Sequence, residues 1–312
     1  MDQVRRLTAR EIPQIIFPTY EIFIPLLEKI RPQILQILKR TFSYGPTERH
    51  QLDVYFPQKN PESEHNKKPI LFFVYGGGFV TGAKSMPPPA DLVYGNVAAY
   101  FAQKGFITII PDYRLLPEAR FPVPARDVLD AISFVRENPE ILRSGNGVEG
   151  DVDSVFLMGH SAGAANVTTI FLHPDLSPSI SKVNIKGAVL MSGPYDYNAE
   201  GAINTASPEV VQNFYGGLES IKKNCPCGLL KDISEESVHS LPPMLLVEGE
   251  HEPDSFKVMG KSFQRALEAL TKQTVPKCIA QKHNHISLSL ALGTGQGEEW
   301  AQQAVEWMTS KV

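Results

Sequence analysis

Three short stretches of this sequence carry side chains that together could perform acyl transfer. A Gly-His-Ser-Ala-Gly pentapeptide occupies residues 159–163, an acidic stretch follows at 249–254, and two histidines lie in 282–286. A serine hydroxyl becomes nucleophilic when a histidine takes its proton, and a carboxylate then orients that histidine and stabilises its charged form. The order along the chain is nucleophile, acid, histidine, which is one of the known orders for such a triad.

The serine pentapeptide has the surroundings that a nucleophile elbow requires. An apolar run at 155–158 predicts a buried strand before it, and residues 164–172 predict a helix after it. In a strand, tight turn and helix built on G-x-S-x-G, the serine sits in a strained turn at the sheet edge. We therefore expect Ser161 to be the nucleophile and the backbone N–H of Ala162 to bind a developing oxyanion.

A second oxyanion element is predicted at three consecutive glycines, residues 76–78, which follow an apolar strand at 70–74. Glycine backbone can turn several N–H groups toward one point because no side chain blocks the approach. A phosphate-binding loop is the competing use. The spacing is not G-x-G-x-x-G, and no Lys-Ser/Thr pair follows, so a nucleotide site is not predicted.

The acid and the histidine each have more than one candidate. Residues 250–254 hold three carboxylates, Glu250, Glu252 and Asp254, which would also suit a solvated loop. The last predicted strand is followed by His283 and His285, and a single histidine there would more often be structural. Ligands bind beyond the carboxyl ends of parallel strands, which is where both stretches are expected to lie.

Composition narrows the functional classes. The chain has 312 residues, of which 42% are hydrophobic and 21% charged, with a net charge of -4, so we expect a folded domain without a nucleic-acid footprint. The three cysteines predict neither a disulfide framework nor a metal site, and we expect no cofactor. Neither a secretory signal nor an integral membrane span is predicted, so a cytoplasmic protein is expected. A homodimer stays open.

Alternating strands and helices predict an α/β class with a mostly parallel central sheet and helices on both faces. An amphipathic helix with Leu27, Ile30, Ile34 and Leu38 on one face, tolerating Pro32 as a kink, sets residues 1–42 apart from 43–312. We expect it to cover the site or the core, or to lie on a membrane. Residues 60–68 predict a polar loop. Residues 194–240 predict an insertion over the site, with a short helix near 209–215.

Five motifs resemble the hormone-sensitive-lipase-like group of α/β-hydrolases, closest to fungal carboxylesterase-like members. They are Tyr-Gly-Gly-Gly-Phe at 75–79, Asp-Tyr-Arg-Leu-Leu-Pro-Glu at 112–118, the serine pentapeptide at 159–163, Gly-Glu-His-Glu at 249–252, and His285. The resemblance covers most of the chain after residue 43. It implies the α/β-hydrolase fold with a helical cap at the N-terminus, and residues 112–118 as a support beneath the site.

By this resemblance Ser161 is the nucleophile, His285 the general base and Glu252 the acid. The implied oxyanion donors are Gly77, Gly78 and Ala162. The family's usual glycine motif begins with histidine and its usual acid is aspartate, whereas this chain has Tyr75 and Glu252. Asp254 and His283 remain the rivals; His285 is preferred because an apolar residue follows it, as in the family.

The implied reaction is hydrolysis of small to medium carboxylic esters with apolar parts. We expect the aromatic side chains of Phe23, Tyr75, Phe214 and Tyr215 to contact such a substrate. The same triad would serve an arylformamidase, or a deacetylase or acyl transferase acting on secondary metabolites. Receptors that use this fold without hydrolysis lose the catalytic histidine, so the retained histidine disfavours a non-catalytic ligand receptor.

Overall fold

The computed structural model describes residues 1–59, 67–202 and 207–312. Within these residues one sheet has eight strands in the order β1-β2-β4-β3-β5-β6-β7-β8. From β4 to β8 all neighbours are parallel, whereas β1, β2 and β4 pair antiparallel. The strands are β1 Leu38–Ser43, β2 Gln51–Phe56, β3 Lys67–Val74, β4 Ile107–Pro111, β5 Glu149–His160, β6 Ile185–Met191, β7 Met244–Gly249 and β8 Lys277–Ala280.

The central strands form because their apolar runs are buried on both faces. In each of β3, β5 and β6 the last five residues are buried. Parallel strands that are covered by helices on both sides require this. The helices after the N-terminal segment are α4 Gly95–Gln103, α5 Val123–Glu137, α6 Ala162–Leu172, α7 Ser177–Ile180, α8 Pro208–Tyr215, α9 Leu218–Asn224, α10 Pro226–Lys231, α11 Glu235–His239, α12 Asp254–Thr271, α13 Ser287–Leu290 and α14 Glu299–Thr309. The predicted α/β class is confirmed.

The N-terminal segment differs from the single predicted helix. It forms α1 Asp2–Arg5, α2 Ile12–Lys29 and α3 Arg31–Leu35, with a break at Ile30. The chain from Leu38 onward is strand β1, which pairs with β2 along its whole length. The predicted boundary at residue 42 was therefore wrong by several residues, because this hairpin joins the edge of the main sheet. No helix among the described residues has the length and apolar character of a bilayer-spanning segment.

Two predicted loops are only partly described. Of the polar loop expected at 60–68, residues 60–66 lie outside the described residues, and 67–68 begin β3. Of the insertion expected at 194–240, residues 203–206 lie outside them. The described remainder contains no strand and forms α8 to α11, and α8 matches the helix predicted near 209–215.

Candidate active site

The predicted site residues follow strands that are neighbours in the sheet. Val74 at the end of β3 pairs with Gly159, so the glycine loop and the serine turn emerge side by side. Gly249 at the end of β7 pairs with Ala280 at the end of β8, which places the acidic stretch beside the histidine loop. The parallel register thus carries four segments distant in sequence to the carboxyl ends of the strands, at one edge of the sheet.

Ser161 adopts the backbone conformation expected of a nucleophile elbow. It lies between β5 and α6 with φ 54° and ψ −124°, a region that non-glycine residues rarely occupy. Its N–H donates to the carbonyl oxygen of Met191 at 2.9 Å, which holds the turn against β6. The turn also needs Gly163, because a Cβ there would lie 2.0 Å from the carbonyl oxygen of Val74. Strand and helix therefore meet at backbone contact distance.

Backbone donors surround the serine on one side. Gly76 packs against it so closely that a Cβ at residue 76 would lie 2.8 Å from the Cβ of Ser161 and 3.4 Å from its Oγ. Within the described chain, the N–H groups of Gly77 and Gly78 donate to no other group. Ala162 is the first residue of α6, so its N–H has no acceptor within the helix and lies at the positive end of the helix dipole. Free N–H groups in this arrangement suit an oxyanion hole.

Glu252 and His285 form a buried pair. His285 Nδ1 lies 2.8 Å from Glu252 Oε2, and the two residues are 1% and 0% exposed. A carboxylate only accepts hydrogen bonds, so the proton sits on Nδ1 and the lone pair of His285 is left on Nε2. The other oxygen of Glu252 accepts a 2.6 Å hydrogen bond from the hydroxyl of Ser192. Both carboxylate oxygens are thus paired, as a buried charge requires.

Strand β5, which leads into Ser161, also contacts the turn that carries His285. His160 Nε2 lies 2.9 Å from the carbonyl oxygen of His285 and must donate to it. Burial and the nearby His285 lower the pKa of His160 to about 3, so its ring stays neutral and this donor persists at ordinary pH. The His285 ring packs between His160 and Phe256, with ring centroids 4.9 and 4.6 Å away. These contacts limit how far the imidazole can rotate.

The rival residues have other partners. His283 is fully buried, with Nδ1 3.0 Å from the Ser287 hydroxyl and Nε2 2.7 Å from the carbonyl oxygen of Gly297. Burial lowers the pKa of His283 to about 4. Asp254 is exposed in the first turn of α12. The structure therefore brings Glu252 and His285 together and leaves both rivals out of the pair.

A cavity of about 580 Å³ opens beside these groups, and both Ser161 and His285 line it. No hydrogen bond between these two side chains is present among the described residues, which is common before a substrate tightens a catalytic site. Most of the wall is apolar, and the described residues that line it include no Asp, Glu, Lys or Arg. Helix α2 supplies one wall through the side chains of Ile12, Ile16, Phe17 and Tyr20.

The four aromatic residues predicted to contact substrate do not line this cavity, and that prediction was wrong. Phe23 is 0% exposed, on the side of α2 that packs into the core. Phe214 and Tyr215 lie one layer behind the wall, where Phe214 stacks on Phe79 at 3.9 Å. Of this stacked pair, Phe79 is the ring that reaches the cavity. The sequence pattern located the aromatic cluster, but packing decides which ring faces inward.

Tyr75 supports the glycine loop from below. Its hydroxyl donates to Asp112 Oδ1 at 2.6 Å and accepts from Arg49 at 2.8 Å. Its ring stacks between Tyr94 and Tyr113, with centroids 5.3 and 4.8 Å away. Burial raises the pKa of the Asp112 carboxyl, and its hydrogen bonds oppose that rise. The segment at 112–118 thus contributes a support beneath the site, as the resemblance implied.

Two residues that contact the Glu252–His285 pair were missed from the sequence. Ser192 is the first residue after β6, with φ 44°, and His160 is the last residue of β5. Both stand at the carboxyl ends of predicted strands. Reading the residue at every strand end, and not only reactive-looking loops, would have identified them.

Comparisons with known proteins place the chain among esterase-like sequences. Residues 52–254 match the model of the BD-FAE family. Isoprenylcysteine alpha-carbonyl methylesterase ICME of Arabidopsis thaliana is 26% identical over 279 residues, which is 84% of this chain and 60% of that protein. A probable carboxylesterase M8 of a Phoma species is 29% identical over 170 residues, 52% of this chain and 49% of that protein. The chain thus spans about half to three fifths of these curated relatives.

A solved structure shows the same fold. Esterase B from Lactobacillus Rhamnosis superposes with a TM-score of 0.68 at 17% identity, covering 93% of this chain and 96% of that one. At this identity the similarity establishes the architecture of the sheet and its helices. The reaction has to be argued from the residues of the site.

Proposed function

This chain belongs to the BD-FAE family of α/β-hydrolases, and we propose that it hydrolyses carboxylic esters through Ser161, His285 and Glu252. The observation that carries the proposal is the buried Glu252–His285 pair at 2.8 Å, beside a cavity that the strained Ser161 also lines. A glutamate–histidine pair with a purely structural role would not need to share a cavity with a serine in this conformation. Esterase names among the relatives and structural neighbours support the same reaction class.

In the proposed reaction, Ser161 Oγ attacks the ester carbonyl carbon while His285 Nε2 takes the hydroxyl proton. The N–H groups of Gly77, Gly78 and Ala162 would stabilise the oxyanion, each such donor contributing about 10²–10³ in rate. The C–O bond to the alcohol then breaks, and the imidazolium returns the proton to the departing alcohol. Water then attacks the acyl carbon while His285 takes one of its protons, the bond from that carbon to Ser161 Oγ breaks, and the imidazolium returns the proton to Oγ as the carboxylic acid leaves.

The substrate we propose is uncharged on both sides of the ester bond, with a small to medium apolar part. Placing an ionised group in a cavity without a counter-charge would cost several kcal/mol or more. A neutral apolar group instead gains about 25 cal/mol for each Å² it removes from water. Cytoplasmic location and dimerisation stay predictions.

The test is a panel of p-nitrophenyl esters of graded chain length, assayed with the wild type and Ser161→Ala. We expect short and medium neutral chains to be hydrolysed, and the alanine variant to lose roughly 10³-fold or more. A hemisuccinate ester, matched in length but negatively charged, should react far more slowly. An N-formyl arylamide and an N-acetyl-S-prenylcysteine methyl ester complete the panel. Undiminished turnover by Ser161→Ala would remove the serine from the mechanism.

A further inference from the structure

Helix α2 touches the candidate site with two different faces. One face lines the cavity, at Ile12, Ile16, Phe17 and Tyr20. The other face is the buried stripe Ile15, Thr19, Phe23 and Leu27. Thr19 is the polar member of that otherwise apolar stripe, and it is 0% exposed. A buried polar group at such a position needs a partner.

The partner of Thr19 is the residue next to the proposed catalytic base. Asn284 Nδ2 donates to Thr19 Oγ1 at 2.9 Å, across 265 residues of sequence. The amide oxygen of Asn284 accepts from the N–H of Ile286 at 3.1 Å and from the N–H of Ser287 at 2.9 Å. The Asn284 side chain, 2% exposed, therefore ties α2 to the turn that carries His285.

This tie completes a two-sided support for His285. On the sheet side, His160 donates to the His285 carbonyl oxygen. On the side facing α2, the Asn284 side chain bonds Thr19 and also accepts from the N–H groups of the two residues that follow His285. If the acceptor on α2 is lost, a buried amide donor is left unpaired, which costs about 1–3 kcal/mol. The turn would then relax to satisfy that donor, and the imidazole would move with it.

We propose that Thr19 is a positioning residue for catalysis, which couples the seating of α2 to the orientation of the His285 ring through Asn284. The inference rests on the proposed ester hydrolysis. It gives α2 two roles, wall of the substrate cavity and support of the base, on neighbouring faces of one helix. A misplacement of about 1 Å in a catalytic group can cost roughly 10²-fold in rate. Loss of the Thr19–Asn284 hydrogen bond, one residue from His285, should therefore lower kcat.

The test compares Thr19→Val with Thr19→Ser in the full chain. Valine keeps the branched shape and removes the acceptor, whereas serine keeps the acceptor. Thr271→Val is the control for a threonine remote from the site, since it removes a 2.8 Å hydrogen bond that the Thr271 hydroxyl donates to the Leu267 carbonyl oxygen at the far end of α12. Active sites are counted by titration with a p-nitrophenyl alkylphosphonate, and kcat is expressed per titrated site on a neutral p-nitrophenyl ester. Counting active sites distinguishes a misplaced His285 ring, which lowers kcat per site, from partial unfolding, which lowers the number of sites.

We expect Thr19→Val to lower kcat per site by about 10- to 100-fold with KM changed less than about twofold, because the cavity face of α2 is untouched. Thr19→Ser and Thr271→Val should stay within about twofold of the wild type. Hydrogen exchange of the peptide spanning residues 281–292 should quicken in Thr19→Val only. If the valine variant does not fold, Thr19→Ala replaces it with the same expectations.

The outcomes separate the two levels of the proposal. An active wild type whose kcat per site is unchanged by Thr19→Val would overturn the positioning role alone. The positioning role is equally overturned if Thr19→Val loses only titratable sites, since that is what a purely structural residue does. A wild type that neither hydrolyses esters nor reacts with the phosphonate would overturn ester hydrolysis itself, and the positioning role with it.

Discussion

The hydroxyl of Ser192 donates a 2.6 Å hydrogen bond to Glu252 Oε1, while the other oxygen of Glu252 lies 2.8 Å from His285 Nδ1. The carboxylate is therefore held at both ends in a fully buried position. A glutamate has one more rotatable bond than an aspartate, so its carboxylate is free to take more positions. A second hydrogen bond restricts the carboxylate to one of them. Ser192 supplies this anchor from the end of the strand next to the nucleophile strand.

Removing the Ser192 hydroxyl should weaken catalysis without changing the substrate cavity. A hydrogen bond to a charged group contributes about 1.5–3 kcal/mol, so we expect kcat/KM to fall by about tenfold or more in Ser192→Ala. Ser192→Gly is the matched variant, since glycine tolerates the φ of 44° at this position. Steady-state kinetics should show both variants impaired, whereas thermal unfolding should show the glycine variant less destabilised. Full activity in both would exclude the anchor.

The choice of acid is tested by two isosteric amides. Glu252→Gln keeps the shape but presents an amide to His285, and loss of the acid in a triad can cost about 10⁴-fold in kcat. We expect a loss of roughly 10³- to 10⁴-fold for Glu252→Gln. Asp254→Asn should stay within about twofold, because Asp254 is exposed and lies outside the pair. The reverse ranking in an ester assay would transfer the role to Asp254.

The central strands were predictable because they leave local signals, whereas Glu252 and His285 were chosen over their rivals only by the family resemblance, and the structure places these two side chains 2.8 Å apart. Runs such as 155–158 are apolar throughout since both faces of the sheet are covered, and reactive residues follow those runs directly. The end of the N-terminal helix was not predictable in the same way. Residues 38–42 continue a helical apolar pattern, yet they pair with β2 as strand β1. Pairing with a distant segment outweighs local propensity there.

The cavity wall was the least predictable part of the site. Phe23 and Phe214 are aromatic and near the cap, but whether an aromatic ring faces substrate or core depends on the rotation of its helix against the sheet. Thr19 gives no local signal at all, since a lone threonine in a helix is ordinary. Its role depends on Asn284, which lies 265 residues away in sequence.

Tyr75→Phe should lower stability more than activity. The change removes the donor to Asp112 and the acceptor of Arg49, and leaving a largely buried carboxyl short of a partner costs about 1–3 kcal/mol in the free energy of unfolding. The loop should keep its place, because the Tyr113 hydroxyl still donates to the Tyr75 carbonyl oxygen at 2.7 Å. Chemical denaturation measures the first effect and ester kinetics the second.

Tyr100→Phe is the control for that substitution, since the Tyr100 hydroxyl bonds no residue in the described part of the chain while its ring is similarly buried. We expect it to leave the free energy of unfolding within about 0.5 kcal/mol of the wild type. An equal loss in both tyrosine variants would mean that the Asp112 contact contributes nothing to stability.

Acid should destabilise the protein partly through His283. Burial lowers the pKa of His283 to about 4, whereas an unfolded histidine titrates near 6.5. As the pH falls from about 6.5 toward 4, the unfolded chain binds a proton that the folded chain does not. The free energy of unfolding therefore falls, by on the order of 1 kcal/mol per pH unit for this ring.

His283→Gln removes the titrating group and keeps a side chain that can hydrogen-bond. Denaturation curves between pH 7 and 4.5 should show a shallower loss of stability in this variant than in the wild type, although the variant starts from a lower value. Above pH 7.5 the two proteins should respond to pH alike. Parallel curves through the acid range would contradict the burial of a neutral His283.

The charge-free wall also bears on how a turnover ends. Ester cleavage converts a neutral acyl group into an ionised carboxylate, which finds no cationic side chain among the described residues around it. An anion in such surroundings is driven back to water, so the acid should depart readily and inhibit weakly at neutral pH. In a medium acidic enough to protonate that acid, it becomes neutral again and should compete with fresh substrate for the same space.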